Sequence, residues 1–412
     1  MTGLRASWPS ADAVPGVLWS PKPGPRNLTP ALVSRWRDAL RDWNAPEPSI
    51  QALDLLQNPD TLVFVTGQQT GAAGGPLFCA YKAATALALA RRATRDTGRP
   101  AIAVFWAQAD DTDWDEVGWV TLPGPDLALI RGRYPAPFRP RHWIGNAPLP
   151  SAPEGWTGEF PRARGKDWGE GFIHDLLERF GGDGLLPLDS RWPELREAGV
   201  PLWRAYLDAH RDIGSQVERR GSELRASGHT APLDTESAHH GLFVVEQGVR
   251  LPVEPESWET QVRAALKNSP AALAPSVILR APLQDYLFGS AAQVVGATEA
   301  AYLEQLQPLY DALAVAPPAR VPRLRATLVP AEVIPAEDLH DALKDPEAWI
   351  AAQAARRIPV EAGAALERLR STLHRELDNL ASAWEGGDLE QMAESSRRKM
   401  DGQLKRIEET LD

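Results

Sequence analysis

The 412 residues carry a formal charge of −11, from 44 Lys and Arg against 55 Asp and Glu, and 43% of them are hydrophobic. Such a chain buries a large core, and its negative balance argues against a broad surface for nucleic acid or for an anionic membrane. The single cysteine, Cys79, excludes an intrachain disulfide and a multi-cysteine zinc knuckle, as fits a reducing compartment.

No apolar run reaches the roughly 20 residues of a membrane helix, and MTGLRASWPSADAVPG lacks the apolar stretch of a secretory signal, so a cytoplasmic location is expected. Residues 1–60 read as an N-terminal wrap rich in Pro and Trp, with one helix over about Pro30 to Trp43 that Thr29 can cap. TLVFVT then predicts a strand, followed by a glycine turn, a helix from Pro76 to about Thr97, and a second strand in AIAVFWAQ. This is a βαβ unit, and its nearly continuous apolar runs suit parallel strands covered on both faces. VTL and LALI, separated by PGPD, predict a hairpin. DWGEGFIHDLLERF predicts a helix, GLLPLD a strand, and Pro193 to Ala226 an amphipathic helical stretch interrupted near Pro201. LFVVEQGVRLPV reads as a second hairpin, SWETQVRAAL as a helix, and AAQVVGATEAAYLEQLQPLYDAL as strand, glycine turn and helix.

The expected fold class is therefore α/β, with a mostly parallel sheet over residues 61–335 and connecting elements at about 120–165 and 228–270. In the tail, residues 336–412, Leu366, Leu369, Leu373, Leu377, Leu380 and Trp384 recur at spacings of three and four. Gly386 and Gly387 interrupt, and Leu389, Met392, Leu404, Ile407 and Leu411 resume the pattern. This predicts an antiparallel helical hairpin with a coiled-coil seam, whose partner would be a second copy of the chain.

Chemistry-bearing residues fall in three stretches. In the first, Gly67 and Gly71 are placed to take positive φ, and Gly74 and Gly75 to let a ligand approach the backbone before Pro76. The free N–H groups and the helix dipole there favour an anion by about 0.3–1 kcal/mol, although tight turn geometry accounts for the glycines equally well. Lys82 lies inside the helix, so this is no P-loop, and Gln68 and Gln69 add amide donors and acceptors. In the second, Asp110, Asp111 and Asp113, with Asp115 and Glu116 beyond, lie past the carboxyl end of a strand, where α/β sheets bind ligands. Close carboxylates there would hold an amine or Mg²⁺, or raise one another's pKa for base catalysis, and a solvated acidic loop is the plainer alternative. In the third, LRAPLQD carries Arg280, Gln284 and Asp285, and VVGATE carries Gly296 and Glu299. Arg280 would grip a substrate carboxylate or pair with Asp285, and Glu299 would cap its helix or enter the site. His239 and His240 are adjacent, which in a strand would point them to opposite faces, and they have no metal-ligand spacing. Cys79 reads as a small buried residue.

At these residues the sequence resembles the bacillithiol biosynthesis cysteine-adding enzymes, also called bacillithiol synthases. TGQQTGAAGGPLFCAYKAATAL is similar to that family's TGQQ-x-G-x-x-x-GPL-x-x-x-x-K signature and is followed by VFW and an acidic cluster. LRAPLQD, the G-x-x-E of VVGATEAAY and QLQPLYDALAVAPPARVPR resemble the family in order and spacing, from about residue 60 to 330. The resemblance implies a Rossmann-like, nucleotidyltransferase-like core with small connecting subdomains, and a coiled coil that mediates homodimerisation. It implies amide formation between the cysteine carboxyl and the amino group of glucosaminyl-malate, with ATP as the expected energy source. It implies that Gly67 to Gly71 and Gly75 cradle the malate carboxylate or a phosphate, and that Asp110, Asp111 and Asp113 orient the amine or a metal. Arg280, Gln284 and Glu299 would complete the opposite wall, and Gln68, Gln69, Lys82, Asp285 and Gly296 join the substrate-binding set through the matching motifs. Where the family has E-D-H-D, this chain has Thr112 in place of the histidine, which removes a group suited to base work near neutral pH. The alternatives are a non-catalytic dimeric sugar- or malate-binding protein of the same fold, or a nucleotidyltransferase acting on another acid.

Overall fold

The computed structural model describes residues 4–5, 19–20, 22–124, 129–138, 140–154, 156, 159–233, 239–325, 329–330, 344–345, 348–349, 352, 360–382, 394 and 396–405. The chain divides into two compact units, Trp8–Ala326 and Met1–Ser7 with Thr327–Asp412.

The larger unit is built on a five-stranded sheet of β1 (Leu62–Gln69), β2 (Ala101–Gln108), β3 (Leu185–Asp189), β4 (Ala292–Val295) and β5 (Ala319–Pro322). Every neighbouring pair is parallel, in the order β5-β4-β1-β2-β3. Leu62 to Val65 of β1 are wholly buried, which is why that run is apolar at successive positions. The chain moves from β1 outward to β3, then returns to place β4 on the other side of β1. The crevice between β1 and β4 is thus a topological switch point, where such sheets bind ligands at the carboxyl ends of their strands.

Five helices of this unit are α1 (Leu77–Thr97), α2 (Trp168–Phe180), α3 (Val200–Ala226), α4 (Val277–Phe288) and α5 (Ala297–Gln305). α1 buries Cys79, Ala83, Ala86, Ala90 and Ala93, small side chains that bring it close to the sheet, and stops at Gly98 with φ 70°. The helical stretch before residue 226 breaks at Gly199, and Pro201 sits in the first turn of α3, where it needs no N–H partner. Both expected hairpins form. Trp119–Pro123 pairs with Leu129–Arg133, and Leu242–Glu246 pairs with Val249–Arg250 across Gln247 and Gly248, at φ 48° and 79°.

Several expectations need correction. The N-terminal region holds a second helix, Glu47–Leu56, and belongs to the core: Trp36 Nε1 donates to Pro187 O at 2.7 Å and Ser49 Oγ to Leu185 O at 2.7 Å, both on β3. Thr29 caps the helix Pro30–Asp42 as expected, accepting from Leu32 N at 3.2 Å. SVILRAPLQDYLF, whose sequence carries no assigned element, forms α4, a helix that keeps Pro282 inside it. His239 and His240 precede the strand at Leu242, so strand alternation does not orient them, and the His240 ring lies 5.1 Å from that of Trp258.

In the smaller unit, Val360–Ser382 is a helix and residues 396–405 are helical. Arg397 pairs with Asp378, while Asp401 meets His374 at 3.0 Å and Arg370 at 3.7 Å, so the two stretches run in antiparallel order. Leu366, Leu373 and Leu377 are half-buried, whereas Leu369 is exposed. Trp384, Gly386, Gly387, Leu389, Met392, Ile407 and Leu411 lie outside the described residues. Among the described residues no helix is long and apolar enough to cross a membrane.

Candidate active site

β1 ends in Gly67, Gln68 and Gln69. Gly67 is required by close packing: a Cβ there would lie 2.8 Å from the Trp106 carbonyl oxygen on β2. Positive φ falls instead on Ala73, Gly74 and Gly75, at 54°, 82° and 74°, while Gly71 is extended at −133° and closes against Gly75. The expectation of positive φ at Gly67 and Gly71 is thus corrected.

The turn's anion position is filled from within. The Gly74 N–H donates to the Asp175 carboxylate of α2, which burial pushes up to about 6 despite Arg179 beside it. A Cβ on Gly74 would strike Arg179 Nη1 at 2.1 Å, and one on Gly75 would meet Cys79 Sγ at 3.0 Å and Phe172 at 3.2 Å. Gly75 therefore packs against protein, and its N–H donates to Ala72 O at 3.0 Å. Cys79 is buried, and that burial pushes its thiol up to about 12, which makes it inert at neutral pH.

Lys82 projects from α1 back to the strand end. Its Nζ donates to Gly67 O at 2.7 Å, Gln68 Oε1 at 3.0 Å and Glu299 Oε2 at 2.7 Å, so all three of its protons are engaged. The same Glu299 oxygen accepts from Gly296 N at 3.1 Å in a capping box, so one carboxylate both caps α5 and reaches across the crevice. Nothing lies within 4 Å of where a Cβ on Gly296 would stand, which leaves open space beside that turn. Gln68 Nε2 donates to Gln69 Oε1, and Gln69 Nε2 to Glu116 Oε2 at 2.7 Å. A hydrogen-bonded row thus runs from α5, over the end of β1, to the acidic loop after β2.

The second wall centres on Arg280 of α4, which is 9% exposed. Its Nη1 donates to Gln108 Oε1 at 2.8 Å and its Nη2 lies 3.5 Å from Asp111 Oδ2, while its buried Nε finds no acceptor among the described residues. Burial alone would raise the Asp111 carboxyl, but Arg280, Arg250 and the N–H groups of Thr112 and Asp113 outweigh it and hold Asp111 below the ordinary aspartate value. Gln284 is buried one turn beyond Arg280 on the same helix face.

The other aspartates have structural partners. Asp110 is 2% exposed; its carboxylate accepts from the Ser190 hydroxyl and its carbonyl from Arg250 Nη2 at 3.0 Å. Asp113 caps the short helix Trp114–Val117 by accepting from Glu116 N at 3.2 Å. Asp285, expected in the binding set, is turned away from Arg280 and accepts from Tyr310 Oη at 2.7 Å and Gln293 Nε2 at 3.1 and 3.2 Å. It ties α4 to β4, and burial pushes its carboxyl up to about 7.

The native state binds the Asp285 proton more tightly than the unfolded chain, so the stabilisation is complete below the unfolded pKa of 3.8 and is lost as pH rises through about 7. From pH 5 to pH 8, the wild-type chain is expected to lose roughly 2–3 kcal/mol of stability relative to Asp285→Asn, measured by urea unfolding.

Gln108, Ser190 and Arg250 complete the site without any motif to announce them, each a single polar residue at or just past a strand end, and Glu116 of the acidic cluster joins them from the short helix Trp114–Val117. Among the described residues, no group of three His, Cys, Asp or Glu is gathered to hold a metal ion.

Comparison with known proteins agrees with this architecture. Residues 24–166 and 159–324 match the family model described as bacillithiol biosynthesis BshC, N-terminal Rossmann-like domain. Relatives bearing the name "Putative cysteine ligase BshC" include one from Natranaerobius thermophilus, 29% identical over 68% of this chain and 57% of its own length. One from Symbiobacterium thermophilum is 28% identical over 94% of this chain and 78% of its own. One from Solibacter usitatus is 30% identical over 74% and 61% respectively, so this chain spans less than two thirds of two of these three relatives. With its switch-point crevice and a family match covering most of its length, the chain belongs to the BshC family of bacillithiol biosynthesis.

Proposed function

We propose that the crevice joins cysteine to the amino group of glucosaminyl-malate through an amide bond. The observation that carries this reading is the Arg280 guanidinium at the switch point, fixed by Gln108 and Asp111 yet left with a buried, unpartnered Nε. A guanidinium held at the switch point is suited to pair with a carboxylate such as that of malate. Asp111, kept ionised by its arginines, attracts the ammonium group, while Gln68 and Gln69 present amides to the sugar hydroxyls. Lys82 and Glu299 hold the floor of the crevice in one geometry.

Amide formation from a free carboxyl needs an energy source, and ATP is the one proposed. The turn at residues 71–75 does not fit its phosphates, because Asp175 already takes the Gly74 N–H and the loop packs on α2. No step is therefore assigned to that turn. A second reading, binding without catalysis, is favoured by Thr112, which leaves the acidic loop without a histidine.

Incubating the purified chain with cysteine, glucosaminyl-malate and ATP is expected to give the amide product by mass spectrometry. Tight binding of glucosaminyl-malate with no product would overturn the ligase and leave the binding protein. The same reading makes the chain a homodimer through its C-terminal helices, and the mass of a single chain in solution would remove that part.

A further inference from the structure

The carboxylates around the crevice are committed to partners, with one exception. Asp110 is closed off by Ser190, Asp111 stands between Arg280 and Arg250, and Asp113 caps a helix. Asp115 pairs with Arg133 at 2.7 Å, and Glu299 holds Lys82 and the Gly296 N–H. Glu116 is exposed at the mouth, accepts from Gln69 Nε2 through Oε2 alone, and has no cation within ion-pair distance among the described residues.

We infer that Glu116 is the base that takes the proton from the substrate ammonium. This rests on the ligase reading above. Gln69 fixes Oε2 of the carboxylate, the other oxygen takes no hydrogen bond among the described residues, and Arg280 lies near enough to act on the group. The groups that face Glu116 are Asp111 and Asp113 on its own loop, Arg280 from α4 and Gln69 from β1. Partial burial and the two aspartates raise its carboxyl, and Arg280 and Gln69 offset this only in part. A carboxylate so raised is a stronger base than Asp111, which its arginines hold low. The step is one proton transfer: an N–H bond of the ammonium breaks, its electron pair stays on nitrogen, and an O–H bond forms on Glu116. The neutral amine is then the nucleophile that amide formation requires.

Glu116→Gln keeps an acceptor for Gln69 and cannot take the proton. It is expected to retain wild-type binding of glucosaminyl-malate and wild-type melting, to lower product formation by about 10²–10⁴-fold, and to abolish the acid limb of the kcat/KM profile. Glu116→Asp should keep an acid limb at a shifted pH. Product at the wild-type rate from Glu116→Gln, with the acid limb unchanged, overturns the assignment while the ligase reading stands. No product from the wild-type protein overturns the ligase reading and this assignment with it. If Glu116→Gln does not fold, an unshifted limb in Glu116→Asp overturns the assignment and a shifted one supports it.

Discussion

Replacing Lys82 by methionine is expected to lower the unfolding free energy by about 3 kcal/mol, the low end of what breaking a buried ion pair costs. Methionine reproduces the length and apolar stem of the side chain, so little packing is lost. What disappears is the cation that serves Gly67 O, Gln68 Oε1 and Glu299 Oε2 together. Glu299 retains the Gly296 N–H and some contact with water, which keeps the cost from the top of the range. The partner substitution Glu299→Gln removes the stranded charge. The double variant should therefore cost less than the sum of the two singles, a coupling that urea unfolding of all three proteins measures. Strict additivity would show that the two residues do not act as a pair. Activity should fall with stability, since the row from Glu299 to Glu116 loses its central donor.

The pairing of Lys82 with Glu299 shows where the sequence stops being informative. The element of each residue is legible locally, one in the helix after a strand and the other in the first turn after a glycine. Their contact spans 217 positions and depends on β4 returning to the flank of β1, which no local spacing reveals. The strands themselves were legible because burial on both faces forces continuous apolar runs. α4 was not, because it is buried on almost every side and so lacks an amphipathic stripe, and because Pro282 reads as a break. The glycine turn was half legible. Its chemistry does favour an anion, yet the anion is Asp175, contributed by a helix about a hundred positions away, a choice only tertiary structure makes.

The acidic loop makes the same point. Asp110, Asp111 and Asp113 are equivalent as letters and read as one catalytic cluster. Backbone direction separates them: successive side chains past the end of β2 face Ser190, Arg280 and the start of a helix in turn. Glu116, further along, reaches the crevice because the short helix Trp114–Val117 turns the chain back toward Gln69.

Arg280→Met should have the second large effect, and its sign should depend on pH. In the wild-type protein Asp111 has a depressed pKa, so it contributes stability that is present above the unfolded value of 3.8 and is lost as pH falls through the folded value. With Arg280 gone, burial becomes the dominant influence on Asp111, and only Arg250 and the N–H groups of Thr112 and Asp113 remain to oppose it. At pH 7 the variant is expected to lose about 3–5 kcal/mol, the cost of leaving a buried charge without its partner. Near pH 4, where Asp111 can accept a proton, most of that loss should vanish. Adding Asp111→Asn should restore much of the stability at pH 7 without restoring product formation, because the anion-gripping guanidinium is still missing. Arg280→Lys separates charge from geometry: it keeps a cation for Asp111 but cannot reach Gln108 and present a second donor at once. It should fold nearly as well as the wild type and bind glucosaminyl-malate roughly 10–100-fold more weakly, the worth of a charge-assisted hydrogen bond, read by calorimetry. Unchanged affinity in Arg280→Lys would mean that Arg280 serves Asp111 alone.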